Sequence, residues 1–341
     1  MPAPIITGLD IGSFTIKAVT LANKTKTPQL VSYGMVKTPQ PGLVSDIDID
    51  LEAVAVAAKN LLNSLKAPLQ SIVVSLPESK IFSRVISDLP YLSDEELGSA
   101  IKYSAEEFIP LPIAQIELYW QVISRSKEHN QTIVLVIAVP KKLQNKYLKV
   151  LEMADIKPIA IETEMIAAAR ILVNNNINTT TLILQLGASV TDMSIISGGI
   201  IVLTRSIPTA GLSLTRSVAQ HLNFSPLQAE EYKKVYGLLS TQMEGKIFQA
   251  LKPVMDIIST EAERTIQSYQ VKNPTSPVKR LVLIGGGAKM PGLLNYFVSR
   301  FGLEIQEADP FSALEKDASI VSKTTTDPAF CIAAGLAGRL D

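Results

Sequence analysis

The sequence predicts an α/β fold made of two copies of one unit that face each other, with an insertion associated with each copy. Three observations predict it. At 341 residues the chain exceeds what a single hydrophobic core usually serves. A strand, a glycine turn and a second strand occur twice, with Gly12 and Gly187 in register. Each hairpin is followed by a third β-rich segment, an amphipathic helix and a buried strand.

In the first copy the hairpin spans Gly8 to Val19 and the third β-rich segment runs from Gln29 to Thr38. A helix over Leu51 to Leu65 carries Leu51, Val54, Ala55, Ala58, Leu61, Leu62 and Leu65 on one face. Ser71 to Leu76 then closes the unit as a continuous apolar strand. The second copy repeats this with Leu182 to Ser194, Gly199 to Pro208, Leu212 to Leu222 and Leu281 to Ile284. Between them, residues 78–156 predict a compact α+β module: a strand, a helix (Asp94 to Phe108), two strands (Gln115 to Ser124, Thr132 to Val139) and a helix (Lys141 to Met153). Ser225 to Tyr269 reads as helical, with Glu230, Glu231, Lys233 and Lys234 on solvated faces, and a Pro/Ser stretch over Lys272 to Pro277 ends it. The expected domains are 1–77 with 157–178, the insertion 78–156, 179–224 with 278–341, and the helical insertion 225–277.

Composition narrows the function. Thirty-two basic residues balance 32 acidic ones, which removes the long-range field that draws nucleic acid or anionic lipid. Cys331 is the only cysteine, so no intrachain disulfide or zinc cluster forms, and a small buried hydrophobe is its expected role. The longest apolar run, Ile133 to Val139, has a strand's length and falls far short of the ~20 residues of a membrane helix. No secretory signal is visible at the N-terminus, so a cytoplasmic protein is expected.

The glycine turns carry chemistry suited to a triphosphate. A glycine in a tight hairpin lets backbone N–H groups approach phosphate oxygens; Ser13 adds a hydroxyl and Lys17 a point charge. Asp10 ends the first strand, where one carboxylate suffices to hold hydrated Mg²⁺ shared with phosphates. Two such turns can clamp one phosphate chain from both sides. Gly285-Gly286-Gly287, between a buried strand and a helix, lets the backbone pass close to a base or ribose. Neither a Walker A nor a Rossmann glycine pattern occurs.

This five-part pattern resembles the superfamily of actin, the heat-shock chaperone ATPases and the sugar kinases. Asp10-Ile11-Gly12-Ser13 with Lys17 is similar to its first phosphate loop, and Gln185 to Ser189, with Gly187 and Ala188, to its second. The triple glycine resembles its adenosine motif. Glu164 to Ala169 and Ala329 to Gly335 resemble its two connecting hinge helices, which puts Glu164 where the family orients the attacking water. Glu261, Arg264 and Ser268, on one helical face, are similar to residues lining ribose and base, although an ordinary ion pair on an amphipathic helix is the favoured reading. A compact module after the first closing strand resembles the FtsA-like branch. Ile101 to Pro110, Ile113 to Tyr119 and Ile161 to Glu164 resemble its PilM family of type IV pilus assembly proteins.

The resemblance implies duplicated actin-like (ribonuclease H-like) domains, an FtsA/PilM-type inserted subdomain and a helical adenine-side subdomain. It implies an ATP- and Mg²⁺-binding scaffold, peripheral to the inner membrane, that holds the N-terminal cytoplasmic peptide of a PilN-like membrane protein. Other pilus platform and motor components are implied partners, and self-association is left open. Two residues depart from the pattern: the second phosphate loop usually begins with Asp but has Gln185 here, and Ala188 replaces a frequent carboxylate. An amide adds no charge at a metal and cannot act as a base, so weak or absent hydrolysis is expected. An FtsA-like filament protein and a small-molecule kinase are the alternatives. Against the first, no amphipathic membrane helix follows the hinge helix over 335–341, and against the second, no acceptor-site Asp stands out.

Overall fold

Strands of two to eleven residues pair into three sheets in the structure, a computed structural model that describes residues 4–23, 27–173, 178–316 and 327–339. The stretch 174–177 near an expected boundary, and residues 340–341, lie outside the described residues. The first sheet has the order β14 (Glu315–Lys316), β3 (Gln29–Lys37), β2 (Thr15–Ala22), β1 (Ile5–Ile11), β4 (Ile72–Leu76), β8 (Pro158–Thr163). Its meander is β1, β2 and β3, and β4 joins parallel to β1. Helix α1 (Asp48–Ser64) makes the crossover and buries Leu51, Val54, Ala55, Ala58, Leu61 and Leu62. Every residue of β4 is buried, as expected of a parallel strand covered on both faces.

The second sheet repeats the topology as β11-β10-β9-β12-β13. It comprises β9 (Thr181–Leu186), β10 (Thr191–Ser197), β11 (Ile200–Ile207), β12 (Arg280–Ile284) and β13 (Glu304–Glu307). Helices α5 (Gly211–Leu222), α6 (Pro226–Tyr236), α7 (Lys246–Lys272) and α8 (Leu293–Arg300) complete this half. Beyond the closing strand of the repeat unit, the first sheet adds the parallel strand β8 (Pro158–Thr163) and the second adds β13. Their sequences, Pro-Ile-Ala-Ile-Glu-Thr and Glu-Ile-Gln-Glu, lack the long uninterrupted apolar run of a strand covered on both faces, and neither strand is so covered.

The third sheet, β5-β7-β6, contains β5 (Phe82–Leu89), β6 (Ile116–Ser126) and β7 (Gln131–Pro140). Helix α2 (Asp94–Glu106) covers one face, anchored by a capping box between Ser93 and Glu96. It stops two residues before the expected Phe108, ahead of Pro110. Helix α3 (Lys141–Met153) packs against α1 and joins the first core through Tyr147, Val150 and Leu151. Surface ion pairs from Lys142 and Lys146 to Asp46, and from Lys149 to Asp48, add to that contact.

Two helices rich in small residues, α4 (Glu164–Val173) and α9 (Cys331–Ala337), lie between the first and second sheets. They pack Met165, Ala168, Cys331, Ile332 and Leu336 against Val73 of one sheet and Ile183, Val282 and Ile284 of the other. Cys331 is fully buried there. The approach is backbone to backbone: a Cβ on Gly335 would lie 1.9 Å from the Ala167 carbonyl oxygen, and one on Gly8 of β1 2.0 Å from that of Ala333. A two-residue strand, β14 (Glu315–Lys316), returns from the second half to pair with β3. No helix among the described residues is long and apolar enough to cross a membrane.

Candidate nucleotide cleft

Cross-strand pairing places Asp10 opposite Lys17 in the first hairpin, and both are buried. Lys17 Nζ lies 2.9 Å from Asp10 Oδ2, and Ser75 of β4 donates to Asp10 Oδ1 at 3.4 Å. The turn closes with a Gly12 N–H to Thr15 carbonyl bond of 3.1 Å, and a Cβ on Gly12 would meet that carbonyl at 2.9 Å. The second turn has the same build: Gly187 N–H donates to the Val190 carbonyl at 3.1 Å, and a Cβ there would be 2.7 Å from it. The two turns meet, since the Ser189 hydroxyl donates to Ser13 Oγ at 3.2 Å. Helix α5 steadies the second turn through Gly211 N–H to the Gly187 carbonyl and Leu212 N–H to the Ala188 carbonyl.

The triple glycine divides by physical cause. Gly285 has φ +84°, and a Cβ there would lie 2.8 Å from the Leu186 carbonyl oxygen; on Gly287 it would lie 2.5 Å from Leu186 Cγ. Packing on the end of β9 therefore requires both. A Cβ on Gly286 would meet nothing within 4 Å, so its bareness leaves backbone open to an approaching ligand.

Glu164 starts α4 beneath the turns and is buried. Its Oε2 accepts from the Glu78 backbone N–H at 3.4 Å and from Gln185 Nε2 at 3.3 Å. Burial pushes this carboxyl well above the usual range, and Asp10 and Asp192 push it further. Asp192 pairs with Gln185 across β9 and β10, accepts from the Ser206 hydroxyl, and burial raises it to about 6. Burial, then Asp192, raises Glu78 to about 7. Four carboxylates, Asp10, Glu78, Glu164 and Asp192, thus gather on the cleft floor, and of these Asp10 is paired with Lys17. The Gln185 amide donates to Glu164, and its Oε1 has no hydrogen-bond partner.

Asp192 and Glu78 escaped the sequence reading, because neither belongs to a glycine turn and only the pairing of β9 with β10 and the end of β4 bring them in. Lys233 and Glu230 escaped it too. Rather than lying on a solvated face, Lys233 is buried and bonds Glu230 Oε2, Thr215 Oγ1 and the Gly211 carbonyl at 2.6, 2.8 and 3.1 Å. It thereby ties α6 to the helix that carries the second turn. The end of α6 also reaches the triple-glycine loop, with Leu238 N–H on the Pro291 carbonyl at 2.7 Å.

Glu261, Arg264 and Ser268 sit elsewhere. Glu261 pairs with Arg264 on α7 and with Arg205 of β11, and Ser268 bonds the Arg264 carbonyl of its own helix. Strand β11 is the far edge of a sheet in which β10 and β9 separate it from β12, the strand leading to Gly285. The structure does not bring these three residues to the triple glycine.

The fold has solved counterparts. A PilM–PilN type IV pilus biogenesis complex contains a chain 24% identical, with TM-score 0.84 and 97% of each chain covered. The ethanolamine utilization protein EutJ from Carboxydothermus hydrogenoformans is 17% identical, with TM-score 0.61, covering 99% of this chain and 90% of that one. MreB5 of Spiroplasma citri bound to AMPPNP is 16% identical, with TM-score 0.55, covering 97% and 94%. These likenesses establish an actin-like fold. The family model for type IV pilus assembly protein PilM matches residues 8–340, nearly the whole chain, and so this chain, with its two opposed glycine turns and its inserted third sheet, belongs to the PilM family.

Proposed function

We propose that this PilM-family chain is a cytoplasmic ATP-binding scaffold of the pilus assembly platform, holding the N-terminal peptide of a PilN-like membrane protein. The observation that carries the nucleotide part is the meeting of the Gly12 and Gly187 turns above the buried Asp10–Lys17 pair, beside the open Gly286. Backbone N–H groups of the turns, with the Ser13 and Ser189 hydroxyls, would bind phosphate oxygens, and Lys17 would add charge. Mg²⁺ fits this donor set as a shared ion: among the described residues no three acidic or histidine side chains form a metal cluster, and Asp10 offers one carboxylate. A phosphate-bound, water-rich ion needs no more. When bound, it would neutralise phosphate charge.

The same floor supports slow turnover. With Gln185 in place of a carboxylate and its amide on Glu164, the one candidate for orienting water is engaged by two donors. The chain named in the PilM–PilN complex supports peptide capture, and a groove between the first and third sheets is the proposed seat. Glu164, the turn residues and Lys17 are proposed for ATP; Glu261, Arg264 and Ser268 are not retained.

The test is melting and capture. Mg-ATP at ~100 times its dissociation constant adds roughly 2.7 kcal/mol to the folded state. A synthetic PilN-type N-terminal peptide should be retained by the chain, and more strongly with Mg-ATP. An unchanged melting temperature at millimolar Mg-ATP rejects the nucleotide site, and failure to retain the peptide rejects the scaffold role.

A further inference from the structure

Glu78 is the first residue of a helical turn, Glu78–Lys80, that leads from β4 into β5. It lies where the three sheets converge. Its backbone N–H touches Glu164 on the cleft floor. Its carboxyl is approached by the Met165 N–H and by the hydroxyls of Thr163, at the end of β8, and Ser83, on β5. The Ser83 hydroxyl in turn bonds Thr204 of β11 at 2.8 Å, a direct link between the third sheet and the second.

The carboxyl is nevertheless poorly provided for as an anion. Glu78 is 4% exposed, and its Oε2 has no hydrogen-bond partner. The charged groups facing it are themselves acidic: Asp192 from β10, and Glu164 from α4 with Asp10 of β1 beyond. The elements contributing Thr163, Ser83 and Thr204 present only hydroxyls. Lys17 of β2 is engaged by Asp10, while Lys80 of the same turn and Arg84 of β5 are exposed, the latter over the Phe108 ring. A neutral acid suits this junction, and an anion is opposed by burial and by like charge.

We propose that Glu78 is a proton-operated latch that holds the third sheet against the second, joining the floor of the cleft to the inserted module through Ser83 and Thr204. Neutral, the carboxyl keeps β5 seated on β11; ionised, it drives them apart to reach water. The sign follows from linkage. The seated state holds the proton up to about pH 7, whereas a solvated glutamate releases it near 4.5, so seating is favoured at low pH and lost as pH rises between these values. Its bearing on peptide capture rests on the scaffold reading, because the third sheet forms one wall of the proposed groove.

Amide exchange of the full chain tests the latch without nucleotide or peptide. Corrected for intrinsic rates, opening of β5 and β11 should rise by at most about tenfold per pH unit from pH 5 to 7 and then level off. Glu78→Gln, a neutral isostere, should reduce this rise and keep both strands better protected than in wild type at pH 7, the remainder belonging to Asp192 and Glu164. Ser83→Ala should raise exchange but retain its pH dependence. Equal pH dependence in Glu78→Gln and wild type overturns the latch, as does a Glu78→Gln chain that fails to fold. Peptide titration at pH 6 and 8 separates the two proposals. A peptide that binds at neither pH defeats the scaffold reading, while the exchange result still decides the latch.

Discussion

Substituting Gly335 by alanine places a methyl group where α9 touches α4, 1.9 Å from the Ala167 carbonyl oxygen and 2.4 Å from its carbonyl carbon. Ordinary contact needs at least 3.4 Å, so the helices must part by more than an ångström. There is little room for that, because α9 is held on its other side by β1, where Gly8 admits the Ala333 carbonyl. Overpacking of this kind costs about 1–3 kcal/mol. The Arg170 bond of 2.7 Å to the Gly335 carbonyl would be disturbed as well, and a bond from a charged donor contributes about 1.5–3 kcal/mol. Together a loss of about 4 kcal/mol is expected. At about 2.1 cal/mol/K per residue, a chain of 341 residues melting as one unit would lose ~6 °C in Tm. Calorimetry of Gly335→Ala against Gly302→Ala, whose new Cβ meets nothing within 4 Å, isolates the crossing. A Gly335→Ala chain melting within a degree of wild type would refute the claim that this crossing is tight.

Gly286→Ala should leave Tm unchanged without ligand and weaken the Mg-ATP shift, because only a ligand competes for that space; a full shift would show that the nucleotide does not pass there. Lys17→Met should cost about 3–5 kcal/mol by stranding buried Asp10, and adding Asp10→Asn should restore much of it. Urea unfolding of the single and double variants decides this, and a double variant no more stable than the single would remove the ion pair from the account. Gln185→Asp should raise ATP turnover in Mg²⁺; unchanged turnover with intact ATP binding would mean that charge at this position is not limiting.

The repeat was legible because its cause is local. Gly12 and Gly187 close hairpins whose turn carbonyls leave no space for a side chain, and that demand shows in single residues. Stripe-bearing helices such as α1 and fully buried strands such as β4 announce themselves by period and run length. What escaped depends on neighbours distant in the chain. Strand β13 is too polar and β8 too short an apolar run to stand out, and Asp192 joins the cleft floor only because β10 pairs with β9. Lys233, in a run of two acids and two lysines, reads as surface until α6 is laid on α5. Conversely, the spacing of Glu261, Arg264 and Ser268 describes one helical face faithfully but carries no information on where that face points.

The first sheet does not own all of its core. Val19, Leu21 and Leu30 are sealed by Phe311, Phe330, Ala333 and Ala337, and Tyr33 packs at a tilt on Phe311 and edge-on against Phe330. On the ribosome, strands β1 to β3 emerge about 300 residues before α9, roughly 15–60 s earlier at ~5–20 residues per second. Throughout that interval the nascent first half presents an apolar surface whose partner has not been made. Its completion is a late event in translation, and premature termination anywhere ahead of α9 should yield a chain whose earliest segment, though fully synthesised, is left for chaperones and proteases to handle.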